Sequence, residues 1–119
     1  GLENLLVRWH KEHGEKLPDL YITENGCAYG DGPGFDGAVH DPKRIDYLQT
    51  HLKAISNAIA QGSPVKGYYQ WSLMDNFEWA LGYEKRFGIV HVDFETQKRT
   101  IKDSGYWYRD QIKNNGSTI

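Results

Sequence analysis

Cysteine is almost absent from this sequence. The single one, Cys27, excludes an internal disulfide framework and any cysteine-based zinc site. No neighbour along the chain marks it as an activated thiol, so it reads as a small, partly buried residue. No apolar run approaches the ~18–20 residues that a membrane-spanning helix needs. Neither sign of charge dominates: 14 Lys and Arg face 16 Asp and Glu, a net of −2. That balance excludes the basic footprint of a nucleic-acid or anionic-membrane binder. Residues 1–13 carry Glu3, Arg8, Lys11 and Glu12, which is not a secretory leader, and the opening at Gly1 reads as a cut end. The lack of disulfides favours a cytoplasmic location. Repeats, interdomain linkers and coiled-coil heptads are missing. His10, His13, His40, His51 and His91 show no metal-ligand spacing, and no phosphate-cradling glycine loop occurs. The sequence therefore calls for no metal and no cofactor.

Rings and glycine are abundant. Aromatics make up 13%, with 4 Trp and 8 Tyr. Glycine is 13 of 119 residues, above the usual ~7%. A chain of this length is one domain at most.

The first segment reads as a helix, with Leu2, Leu5, Leu6 and Trp9 on one face and Gly14 as its stop. Leu20-Tyr21-Ile22-Thr23 reads as a buried strand. A long loop follows from Glu24 to Asp41 and holds Gly26, Gly30, Gly32, Gly34 and Gly37. Loops of that length are uncommon and usually functional. Asp41-Pro42 starts a second helix as N-cap and first-turn proline, with Ile45, Leu48, Leu52, Ile55 and Ile59 on one face. Gly62 and Pro64 close it. Val65 to Trp71 lacks clean alternation, which suits a strand covered on both faces. A second long loop runs from Ser72 to Arg86. Phe87–Phe94 and Lys98–Ile101 read as a small hairpin, and a last helix runs from Asp103 or Ser104 to about Lys113.

Strand, helix, strand implies a parallel pair with a helical crossover. Two parallel strands are not a domain, because both faces of such a sheet must be covered and its edges paired. The chain reads as a piece of a larger α/β protein.

Both long loops follow strands, where α/β architectures carry their functional loops. Glu24 reads as the first residue after strand one. A lone Glu there is commonly a surface charge or a cap partner, but its neighbours change the reading. Trp71 holds the equivalent place at the end of strand two. Glu78 and Trp79 follow in its loop, and Phe87 comes next. A pyranose needs aromatic faces for its C–H surface and carboxylates for its hydroxyls. Trp71 with Glu78-Trp79 supplies both. Phe77, Tyr68 and Tyr69 read as core packing. Glu78, between Phe77 and Trp79, needs a polar partner.

These residues sit in longer motifs. Tyr21-Ile22-Thr23-Glu24-Asn25-Gly26 resembles the Thr-Glu-Asn-Gly signature of glycoside hydrolase family 1, the β-glucosidase family. Trp71-Ser72-Leu73-Met74-Asp75-Asn76-Phe77-Glu78-Trp79 resembles that family's second signature. Gly82-Tyr83-Glu84-Lys85-Arg86-Phe87-Gly88 continues it, and Thr96-Gln97-Lys98-Arg99-Thr100, Lys102-Asp103-Ser104 and Tyr106-Trp107-Tyr108 are similar to its tail.

The resemblance implies an eight-stranded (β/α)8 TIM barrel, of which residues 1–119 would be the C-terminal quarter: the last two parallel strands, flanking helices and a small hairpin, incomplete on its own. It implies hydrolysis of β-glycosides with retention, by two carboxyl groups about 5–5.5 Å apart. Glu24 matches the nucleophile, which must stay ionised. Trp71 matches the platform under the sugar, Glu78 and Trp79 the residues that bind its outer hydroxyls, and Phe87 a wall of the pocket. The partners implied are a β-glucoside or short β-linked oligosaccharide and the remaining N-terminal part of the barrel.

The family's acid/base lies in a Thr-x-Asn-Glu-Pro motif, and no Asn-Glu-Pro occurs here. The chain alone is expected to be inactive. Relatives acting on 6-phosphorylated glycosides hold the phosphate with a Ser, Lys and Tyr set; here that stretch has Trp79, Lys85 and Phe87. Lys85 alone reads as a solvated charge, and the substrate as unphosphorylated. The stretch 30–37, with Asp31, Pro33 and Asp36, reads as an acidic rim loop, open to movement. The rival readings are a non-hydrolytic sugar-binding descendant and an inactive fragment of the same barrel.

Overall fold

The computed structural model describes all 119 residues, Gly1–Ile119. Helix α1 (Leu2–His13) runs into a 3-10 turn at Gly14–Lys16. Strand β1 (Leu20–Asn25), helix α2 (Pro42–Ala60) and strand β2 (Val65–Gln70) follow. A second 3-10 turn (Trp79–Leu81), strands β3 (Val90–Val92) and β4 (Arg99–Ile101), and helix α3 (Asp103–Lys113) complete the chain.

Strands β1 and β2 are parallel, with Leu20 opposite Val65, Ile22 opposite Tyr68 and Asn25 opposite Gln70. The apolar core lies between this pair and the helices. It consists of Leu6 and Val7 from α1, Ile55 and Ala58 from α2, and Val65 from β2, flanked by Leu20, Ile22, Leu52 and Tyr68. The face of α1 is rotated from the one its leucine spacing predicts. Leu6 and Val7 are buried while Trp9 is exposed. Polar anchoring sets this rotation: the Glu3 carboxylate accepts hydrogen bonds from Asn57 Nδ2 (3.0 Å) and Gln61 Nε2 (3.1 Å) on the α2 side.

Strands β3 and β4 form an antiparallel hairpin, Val90 opposite Ile101 and Val92 opposite Arg99. It is shorter than the expected Phe87–Phe94 and Lys98–Ile101. Residues 87–89 pair with Ser72 instead: Ser72 N–H donates to the Phe87 carbonyl (3.1 Å) and Ile89 N–H to the Ser72 carbonyl (3.0 Å).

Every helix lies on one side of the β1–β2 pair, which leaves the opposite face bare. Tyr21 and Tyr69 stand on that face, 56% and 58% exposed. Their rings close over Gly67, where a Cβ would meet Tyr21 Cδ1 at 2.6 Å. The molecule measures 51 × 34 × 19 Å, with a radius of gyration of 16.2 Å. A compact chain of this length would have about 13–14 Å. Its accessible surface of 7747 Å² also exceeds the roughly 6,600 Å² of a folded monomer of this mass. The chain is a thin slab with one uncovered sheet face and two unpaired sheet edges.

Candidate functional site

The end of β1 places the first site residue. Leu20 and Ile22 face the apolar core and Tyr21 the bare side. Strict alternation would turn Glu24 toward the core. The register breaks between Ile22 and Asn25, where β1 spends three residues on two of β2. Such a bulge re-aims side chains. Asn25 turns inward, donating from Nδ2 to the Tyr47 hydroxyl of α2 (3.1 Å) and accepting from the Tyr68 hydroxyl of β2 (2.9 Å). Glu24 is left exposed. It is thus the penultimate residue of the strand and not the first beyond it. Trp71 N–H donates to the Asn25 carbonyl (2.9 Å), which carries the ladder past the β-branched run.

Glu24 and Trp71 therefore sit at the carboxyl ends of neighbouring parallel strands. Gly26 makes that approach feasible, since a Cβ there would overlap the Trp71 carbonyl oxygen. The Trp71–Ser72 peptide is cis.

The loop after β2 carries the other candidates. Glu78 opens a tight turn: its N–H donates to the Gly82 carbonyl (2.7 Å), and Leu81 N–H donates to the Glu78 carbonyl (2.8 Å). Trp79 stands at the tip with φ 43° and is 82% exposed. Phe77 packs edge-on against Tyr83, centroids 5.4 Å apart, and is exposed rather than in the core. Phe87 is half-buried beside Ser72, and Lys85 is exposed. A groove of 510 Å³ along this loop is lined by Trp71, Leu73, Phe77, Tyr83 and Phe94 among others. It takes in Trp71 and none of Glu24, Glu78, Trp79 and Phe87. Neither Glu24 nor Glu78 joins any ion pair of the chain. No group of three or more His, Cys, Asp or Glu side chains is arranged to hold a metal ion.

Beneath both loops lies a buried ionic cluster that the sequence does not announce. Asp31 meets Arg44 Nη1 (2.5 Å) and Lys102 Nζ (2.8 Å). Asp41 also pairs with Arg44. Asp75 meets Lys102 Nζ (3.0 Å) through Oδ1 and Arg86 Nη1 (2.8 Å) through Oδ2. Three carboxylates balance three cations. Burial pushes the Asp75 carboxyl up, but the hydrogen bonds from Arg86 and Lys102 outweigh it and hold the group below the usual carboxylate range. Burial works against the Arg44 charge, yet Asp31 and Asp41 raise its pKa further. Asp41 does not cap its own helix. Its Oδ1 accepts the Ser104 N–H (2.8 Å) and its Oδ2 the Ser104 hydroxyl (2.5 Å), so it closes the first turn of α3. Asp31 is likewise no solvent-facing rim acid, although residues 32–37 beside it are exposed, and backbone bonds anchor the stretch on either side. Tyr29 N–H donates to the Arg86 carbonyl (3.2 Å) and Asp103 N–H to the Val39 carbonyl (3.0 Å). The only hint in sequence was an Asp and an Arg flanking the helix start. Their partners lie up to 63 residues away.

Residues 1–117 match the family model described as glycosyl hydrolase family 1. The chain belongs to glycosyl hydrolase family 1. This family 1 chain is 62% identical over 99 residues to beta-glucosidase A of Thermotoga maritima, covering 83% of itself and 22% of that protein. It is also 51% identical over 109 residues to a 6-phospho-beta-galactosidase of Leptotrichia buccalis, covering 92% of itself and 23% of that protein. A solved beta-glucosidase structure from Thermotoga maritima, in complex with deoxynojirimycin, superposes with a TM-score of 0.91 at 56% identity. That match covers 98% of this chain and 26% of the other. The psychrophilic beta-glucosidase BglU of Micrococcus antarcticus gives 0.92 at 54% identity, covering 97% and 24%. The chain thus spans about a quarter of the length of the relatives it matches. The expected fold class holds: this is a slice of a (β/α)8 barrel, and the bare sheet face and open edges are those of an unclosed one.

Proposed function

We propose that residues 1–119 are the C-terminal segment of a (β/α)8 barrel that hydrolyses terminal β-D-glucosyl residues with retention. The observation that carries this reading is the parallel β1–β2 pair, which holds Glu24 and Trp71 side by side at its carboxyl end. Glu24 is the nucleophile. It attacks the anomeric carbon while a second carboxyl group, supplied by the N-terminal part of the barrel about 5–5.5 Å away, protonates the leaving oxygen. Water then displaces the sugar from Glu24, activated by that same second group. Trp71 packs under the sugar, Glu78 and Trp79 hold its outer hydroxyls, and Phe87 walls the pocket. Glu78 is free to accept from hydroxyls because no cation of this chain claims it. Trp79, Lys85 and Phe87 favour an unphosphorylated glycoside, although a 6-phospho-glycosidase is 51% identical to this chain. Without the second carboxyl group the chain by itself is inactive.

The test is made on the complete barrel with an activated 2-deoxy-2-fluoro-β-glucoside, which traps the glycosyl-enzyme. The expected result is one added sugar mass that maps to Glu24. The Glu24→Gln variant should lose at least ~1,000-fold in kcat, about 4 kcal/mol of transition-state stabilisation. An unlabelled barrel that still binds glucosides, with binding unchanged by Glu24→Gln, would make it a non-hydrolytic sugar binder instead.

A further inference from the structure

The ionic cluster contains one residue that lies in sequence between Trp71 and Glu78. Asp75 stands four residues after Trp71 and three before Glu78. Its carboxylate grips both neighbours of Phe87. Oδ1 accepts the Gly88 N–H (3.0 Å) and Lys102 Nζ (3.0 Å). Oδ2 accepts Arg86 Nη1 (2.8 Å). Two carbonyls of this stretch are engaged as well. The Arg86 carbonyl accepts Arg44 Nη2 (2.7 Å) and Tyr29 N–H (3.2 Å), and the Phe87 carbonyl accepts Ser72 N–H (3.1 Å). At Gly88 the two segments meet backbone to backbone, where a Cβ would overlap the Asp75 nitrogen.

We propose that Asp75 is a positioning residue for sugar recognition: its carboxylate clamps residues 86–88 onto residues 72–78 and so sets Phe87 and Glu78 in register with Trp71. The proposal rests on the reading of Glu78 and Phe87 as sugar-binding residues. A neutral acceptor cannot replace the carboxylate. Arg86 has no other anionic partner, and Lys102 would keep only Asp31. The clamp links α3, through Lys102 at its N-terminal boundary, to a loop whose backbone also bonds Val90 of β3, Asp75 N–H to the Val90 carbonyl (3.0 Å) and Val90 N–H to the Leu73 carbonyl (2.9 Å). Asp75 touches no substrate and acts through the residues on either side of it.

The test uses the complete barrel, with p-nitrophenyl β-glucoside and its 4-deoxy and 6-deoxy analogues. In Asp75→Asn, KM for the glucoside should rise about tenfold or more, with a smaller change in kcat. Discrimination against the deoxy analogues should shrink as well. Combining Asp75→Asn with Glu78→Gln should cost little beyond the worse single variant, because both act on one contact. If Glu78→Gln alone leaves KM and discrimination unchanged, the reading of Glu78 fails, and the proposal falls with it. If Glu78→Gln raises KM but Asp75→Asn only lowers the melting temperature, Asp75 is structural and the positioning role is overturned. Should Asp75→Asn fail to fold, Arg86→Gln decides. It leaves the Asp75–Lys102 pair and the Gly88 N–H bond in place and removes the charged grip on residue 86. An unchanged KM and unchanged discrimination there overturn the proposal equally.

Discussion

Two regions of this chain exclude water, with opposite chemistry. Between the sheet and its helices the buried groups are Leu6, Val7, Ile55, Ala58 and Val65. Beneath the loops they are Asp41, Arg44, Asp75, Lys102 and Ser104, with Asp31 almost covered. The two bulkiest fully buried side chains of the whole chain are Arg44 and Lys102. Apolar burial is worth about 25 cal/mol per Å² and has no direction, so it tolerates small slips. A carboxylate buried among cations does not, since each oxygen needs a donor at hydrogen-bond distance. The apolar floor stabilises; the ionic layer dictates where loop atoms lie.

The sharpest way to break that contrast is Arg44→Met. Methionine fills much of the space but leaves Asp41 buried without its cation. In the complete barrel this should cost about 3–5 kcal/mol, read by urea unfolding. KM for a β-glucoside should rise in the folded fraction too, because Arg44 also holds the Arg86 carbonyl. A loss under about 1 kcal/mol with unchanged kinetics would show the layer to be dispensable.

Ile55→Ala is the counterpart in the apolar floor. It should cost about 2–3 kcal/mol, at the low end for such truncations because this small cluster can collapse around the gap. The folded enzyme should keep its KM and kcat. If KM shifted as it does in Arg44→Met, the two regions would not be separate in function.

The sequence carries the apolar half of this picture far better than the ionic half. Helical spacing, Asp41-Pro42, Gly62 and the strand–helix–strand order follow local rules, and the structure keeps them with shifts of a turn or a residue. Glu24 and Trp71 were legible because strand ends are legible, and because their motifs are longer than chance allows. The bulge that aims Glu24 was not, since it depends on the register between two strands. Asp41 shows why the rest was hidden. Its place before Pro42 reads as an N-cap by every local criterion, yet its carboxylate spends its bonds on Ser104, 63 residues away. Asp31 reads as a rim acid for the same reason. Nothing near it in sequence reveals Lys102.

The smallest expected effect tests the outer edge of the ionic layer. His40 stands between Asp36, which accepts from Nε2 (2.9 Å), and Asp103, which accepts from Nδ1 (2.6 Å). Both nitrogens donate only in the imidazolium, and Asp103 first, then Asp36, raises the His40 pKa to about 9. The contribution of this staple is complete below the unfolded value near 6.5 and is lost as pH rises through 9. Buried His91 has the opposite sign: burial and then Arg86 lower its pKa, so its contribution is lost as pH falls. The His40 groups face water, so screening makes the effect modest. The expected outcome is an NMR titration of His40 with a midpoint near 9. Protection of the 36–40 amides against exchange should exceed that of His40→Gln at pH 6 and match it at pH 10. A midpoint near 6.5, or equal protection at both pH values, would leave the anchoring of this loop to the buried Asp31 pairs and to the backbone bonds at Tyr29 and Val39, and the ionic layer would end at Asp31.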